Sequence, residues 1–142
     1  MTSSQLAALQ TYAVFGEDVV DRLLSGFACF LVAARLRRVD AQRVLDEPFL
    51  DAMKSGDGCV ARMGRTKVTH KPNASDVEKA AVGHALGIMG HRWAESWLAL
   101  RKQQGLDASK DKYLIRALAG VGSFFKRRLE SSEPLTRPRG FL

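Results

Sequence analysis

Cysteine is scarce in this chain: Cys29 and Cys59 are the only two in 142 residues, too few for a disulfide framework. Cys29 lies in the apolar run FACFLVAARL and reads as a small buried hydrophobe, whereas Cys59, in a basic stretch rich in glycine, is the thiol expected at the surface. Such usage fits a reducing compartment. Long hydrophobic runs are lacking too. The longest nearly apolar stretch, Leu23 to Ala34, is bounded by Asp21, Arg22 and Arg35 and falls well short of the ~20 residues that span a bilayer, which excludes a membrane helix. The opening MTSSQLAALQ has no basic segment ahead of an apolar one, and the closing Gly-Phe-Leu matches no lipidation or retention signal, so a cytoplasmic location is expected. Acidic residues are the scarcer charge. Against 22 Lys and Arg stand 15 Asp and Glu, a net charge of +7 that disfavours cationic partners and favours polyanions. A chain of this size buries roughly two-thirds of its unfolded surface, so folding calls for no metal or cofactor, and none is expected.

What the chain does have is helical periodicity. Ser3 or Ser4 caps a first expected helix that runs to about Phe15, and Gly16 breaks it. Glu17 and Asp18 then open a second, where acidic side chains meet the partial positive charge of the first-turn N–H groups. In it Val20, Leu23, Leu24, Phe27, Phe30, Leu31 and Ala34 form one wide stripe, which marks this helix as central to the core. Arg35, Arg37 and Arg38 complement its C-terminal carbonyls, and Asp40 caps a short helix carrying Val44 and Leu45 that Pro48 interrupts before Phe49 to Met53.

Residues 55–74 contain Gly56, Gly58, Gly64 and Pro72 and no helical period; they read as a basic loop in which Val60 to His70 forms a short hairpin or an extended arm. Ser75 to Glu78 has the form of a capping box, from which a long helix is predicted to about Gln104. On that helix Val82, Leu86, Met89, Trp93, Trp97 and Leu100 would share one face, and Ala80, Gly83, Gly87, Gly90 and Ala94 would form a neighbouring stripe of small residues. The Gly83/Gly87/Gly90 face would let a second copy of the chain approach closely. A last helix opens at Asp107 or Ser109, with Leu114, Leu118, Val121 and Phe125 on one face and Lys112, Arg116, Lys126 and Arg127 opposite. The expected fold class is therefore all-α: a compact bundle of four to five helices over residues 1–130, one irregular basic arm at about 55–74, and a flexible tail over 131–142.

Catalytic and metal signatures are weak. Gly58 to Thr66 departs from a phosphate-cradling loop, with five residues between the glycines and Arg65 in the lysine position, and Gly120-Val-Gly122 does not follow a strand in this reading. His91 and Glu95, one helical turn apart, lack a third ligand, since His84 lies two turns from His91. No nucleophile stands beside a base and an orienting acid, so the chain is not read as an enzyme. Trp93 and Trp97 share a face with Leu86, Met89 and Leu100, which points to core packing over base stacking.

Basic residues fall in three groups: Arg35, Arg37, Arg38 and Arg43; Arg62, Arg65, Lys67 and Lys71; and Lys112, Arg116, Lys126, Arg127 and Arg128. The last two groups are the expected nucleic-acid-binding residues, making phosphate-directed, sequence-tolerant contacts in a small intracellular regulatory protein. DNA and RNA are not distinguished, and an acidic protein surface would offer similar charge. The alternative is a non-enzymatic interaction module, a small inhibitor or adaptor, docking a helical face on a larger partner.

Overall fold

The computed structural model describes residues 2–53, 56–64, 79–111, 114–120 and 123–128, with side chains undescribed at 42, 52, 53, 56, 57, 79, 116–120 and 123–128. It corrects the all-α helical bundle expected above. Helices α1 (Ser3–Phe15), α2 (Val19–Ala33), α3 (Trp93–Gln103) and the one-turn α4 (Ala108–Asp111) are combined with an antiparallel sheet ordered β1 (Phe49–Met53), β2 (Gly56–Met63), β3 (Lys79–His84). A second hairpin pairs β4 (Arg116–Gly120) with β5 (Ser123–Arg128). The chain is a mixed α/β protein.

The first two helices form as their sequence directs. Thr2 rather than Ser3 or Ser4 caps α1: its hydroxyl accepts the Gln5 N–H at 3.2 Å while the Gln5 side chain accepts the Thr2 N–H at 2.9 Å. Gly16 ends the helix against the Tyr12 ring, where a Cβ would lie 2.5 Å from the ring edge. Asp18 caps α2 by accepting the Asp21 N–H. The stripe from Val20 to Leu31 is buried as its spacing requires, and α2 is the centre of the core.

Trp97 explains how α3 lies so close to α2. Its ring covers Gly26, where a Cβ would stand 2.3 Å from the ring, and stacks on Phe30 at 5.6 Å between centroids. Both tryptophans are fully buried, as the sequence indicated, so neither is a platform for a nucleobase.

Between Pro48 and Arg92 the helical expectation fails. Phe49 to Met53 is a strand, and the long helix expected up to Gln104 is replaced by β3, a turn at 85–92, and α3 alone. From Ala80 to Ala85 exposure alternates, with Ala81, Gly83 and Ala85 in and Ala80, Val82 and His84 out, which is strand period rather than helix period. Gly83, Gly87 and Gly90 therefore share no helix face, and the oligomer contact built on that face has no basis in the fold. Each has its own local cause. A Cβ on Gly83 would meet Ala33 at 2.6 Å where β3 crosses the end of α2, Gly87 abuts Gln10, and Gly90 sits at φ +80°. Three glycines in one helix would each cost about 1 kcal/mol relative to Ala, and here tertiary contacts reward the strand instead. The Ser75 to Glu78 capping box and the tail at 131–142 lie outside the described residues.

The last expected helix is a hairpin for a related reason. Gly120 ends β4 and is the register partner of Ser123 at the start of β5, while Val121 and Gly122 lie outside the described residues. Arg116 stands on β4 and Lys126 and Arg127 on β5, so they form no helix face, while Lys112 lies outside the described residues.

Candidate nucleic-acid interface

The end of the first basic group, at Arg43, is tied to the Arg62 end of β2. After α2 the chain turns through Arg35, the only non-glycine with positive φ (57°) among the described residues. The Leu36 N–H bonds the Leu31 carbonyl at 2.8 Å and the Arg35 N–H bonds that of Val32, the pattern of a helix end that glycine ordinarily closes. A 3-10 helix, Arg38–Arg43, replaces the short α-helix expected through Val44 and Leu45. Asp40 organises it. Its carboxylate accepts the Arg37 N–H at 2.9 Å and stands 3.6 Å from the Arg37 guanidinium and 3.9 Å from that of Arg43.

Val44 then bridges Met63 at the end of β2, the Leu45 N–H bonds the Arg62 carbonyl at 2.9 Å, and the Gly64 N–H bonds the Arg43 carbonyl at 2.7 Å. These backbone bonds fasten the arginine-rich turn to the mouth of the basic arm. Arg62 is exposed on the strand and its guanidinium pairs with Asp46. Arg65, Lys67 and Lys71, the rest of the second group, lie outside the described residues, as does Lys112. Arg116, Lys126, Arg127 and Arg128 are placed by backbone alone, on β4 and β5, with Arg116 opposite Arg128 in the register.

One residue beyond Asp46 the environment inverts. Glu47 points inward, and its carboxylate accepts from Arg101 Nε at 2.8 Å, Arg101 Nη2 at 2.7 Å and the Ala108 N–H at 3.0 Å. Arg101 is 1% exposed, donates also to the Leu114 carbonyl at 2.6 Å, and lies over the Trp97 ring at 5.3 Å. The Glu47 N–H in turn bonds Ser109 Oγ. This bidentate pair ties the entrance of β1 to α3, α4 and the segment leading into β4. Sequence reading counted Arg101 with no function. A lone arginine on a helix resembles any solvated charge until its burial is known.

Cys59 also departs from expectation, for it is buried. Burial, partly offset by the positive charge of Arg101, pushes its thiol up to about 12, and burial pushes Cys29 to about 12 as well. Neither is poised as a nucleophile. The His91 ring meets Phe15 edge-on at 5.1 Å, and Glu95 pairs with Arg92. Among the described residues no three His, Cys, Asp or Glu side chains gather around a common point. No described helix is long and apolar enough to cross a membrane.

Comparison with protein-family models, with curated proteins and with solved structures found no match to this chain.

Proposed function

We propose that the protein binds nucleic acid through phosphate-directed contacts centred on the corner formed by Arg35 to Arg43 and the Arg62 end of β2. The observation that supports this reading is the fastening of the segment that ends in Arg43 to the Arg62 end of β2 by the Val44–Met63 bridge and its flanking backbone bonds. A second feature supports it. Arg35 occupies a backbone conformation that glycine would adopt more easily, and a bulky cation kept at such a position is better explained by what its side chain contacts than by the turn itself. Contacts of this kind position a protein on a polyanion without reading its sequence. Arg65, Lys67 and Lys71 on the arm, and Lys112, Arg116, Lys126, Arg127 and Arg128 toward the C-terminus, are the proposed extensions of the site. The two free cysteines favour a reducing, cytoplasmic setting.

Fluorescence anisotropy of labelled single- and double-stranded DNA and RNA, titrated at low and moderate salt, tests the reading. Affinity is expected to fall steeply with salt, by about 10³ or more between 50 and 200 mM if six phosphates are contacted. The R62A/R65A/K67A variant is expected to keep wild-type helicity and lose part of that slope. Absence of binding to all four probes at 50 mM salt would overturn the proposal.

A further inference from the structure

Helix α1 contains no charged residue in a chain of net charge +7, and toward its C-terminal end Ala8, Tyr12 and Phe15 stay exposed on the side away from the core. Ser4, Ala7, Ala8, Thr11, Tyr12 and Phe15 follow one another at helical spacing along its outer face, where they line an open groove of about 780 Å³ that Met89 closes on one side. The turn at 85–92 extends this face. It is held in place from below: Gln10, buried, accepts the Ile88 N–H at 2.8 Å, and the Gly87 N–H bonds the His91 carbonyl at 2.8 Å. Tyr12, Phe15, Leu86, Ile88 and Met89 are nonetheless between 37% and 68% exposed. Together they expose on the order of 600 Å² of residue surface, the upper end for a patch on a monomer and below the ~800 Å² per partner of a standard interface.

We infer that this face is the contact between two copies of the chain, packed about a two-fold axis with their α1 helices antiparallel. The order of residues along the groove selects that arrangement. Small side chains, Ser4, Ala7 and Ala8, occupy its N-terminal half and larger ones, Thr11, Tyr12 and Phe15, its C-terminal half. Antiparallel packing sets Phe15 over the partner's Ser4, Tyr12 over the partner's Ala7 and Thr11 over the partner's Ala8, so every bulky group meets a small one. Parallel packing would set ring against ring. The same register brings Glu17, exposed just beyond the helix, beside the partner's Thr2 at the start of its α1. There a carboxylate meets the positive end of the helix dipole, twice per dimer. An uncharged helix also lets two strongly basic chains approach along the line of least repulsion. A nucleic acid finds no cation on α1.

Sedimentation equilibrium of the full chain over a wide concentration range tests the inference. A dimer with Kd on the order of 10 µM is expected, consistent with an interface of this size. Ala8→Arg places an exposed charge at the crossing point and is expected to leave a folded monomer by circular dichroism. Glu17→Lys reverses the dipole contact and is expected to weaken the dimer about tenfold. A wild-type chain that stays monomeric to about 500 µM, fifty times that Kd, would overturn the inference. So would an Ala8→Arg variant that still dimerises, and unchanged affinity in Glu17→Lys would overturn the antiparallel register.

Discussion

Asp46 and Glu47 are neighbours in sequence, chemically alike, and each pairs with an arginine, yet they do opposite work. Asp46 faces out to Arg62, and the two side chains are 37% and 50% exposed. Glu47 faces in to Arg101, whose side chain is 2% exposed. Water screens the outer pair, so it contributes at most about 1 kcal/mol. The inner pair is screened less, because Arg101 is buried while 27% of the Glu47 side chain stays exposed. Arg101 was desolvated on folding, and the pair's value lies in the penalty for leaving that buried charge alone. A bend at Asp46, not a helix, separates the two roles and sends adjacent side chains to different partners.

The largest effect expected on the buried side of this comparison comes from alkali. Both thiols titrate near 12 in the folded protein, above the ordinary value of 9.0 that governs the unfolded chain. Below pH 9 both states hold the protons and nothing is lost; between pH 9 and 12 the unfolded state sheds them first, so stability falls as pH rises. Each thiol costs about 1.4 kcal/mol per pH unit in that window, and urea midpoints at stepped pH are expected to fall less steeply in Cys29→Ala or Cys59→Ala. Next in size, Arg101→Met should cost about 3 kcal/mol in urea unfolding, because it strands the Glu47 carboxylate and the Leu114 carbonyl. A loss below 1 kcal/mol would mean that Glu47 is solvated and the contrast with Asp46 is false.

On the exposed side the expected effects on stability are small and those on binding are not. Arg35→Gly should gain up to about 1 kcal/mol by relieving the left-handed backbone, while lowering polyanion affinity. Stabilisation with unaltered binding would remove Arg35 from the site. Arg62→Ala should change stability by less than about 0.5 kcal/mol, and should reduce the slope of log affinity against log salt by about 0.9 if the side chain meets a duplex phosphate.

How much of this was legible differs along the chain. The stripe of α2, the Gly16 break and the Asp18 cap announce themselves because local signals and tertiary packing agree there. Residues 49–63 and 79–84 do not, since strands this short, with glycine at 56, 58 and 83, show little alternation until a partner strand supplies it. The basic corner was half visible. Arg35 to Arg43 and Arg62 stand out as clusters, but their adjacency depends on a bridge between Val44 and Met63 that no local pattern encodes. Arg101 was invisible as anything but a surface charge, and Cys59 was assigned to the surface because its basic neighbours are.

By itself the sequence determined the charge balance, the shortage of disulfide and membrane-spanning material, and the two N-terminal helices, all properties that follow from residue types and short-range spacing. Only the tertiary structure decided which carboxylate of an adjacent pair meets a buried arginine, which backbone segments are bridged, and whether a glycine-rich stretch is helix or strand. Those outcomes depend on neighbours distant in the chain, and burial, which sets the strength of every polar contact here, is a property of the packed whole.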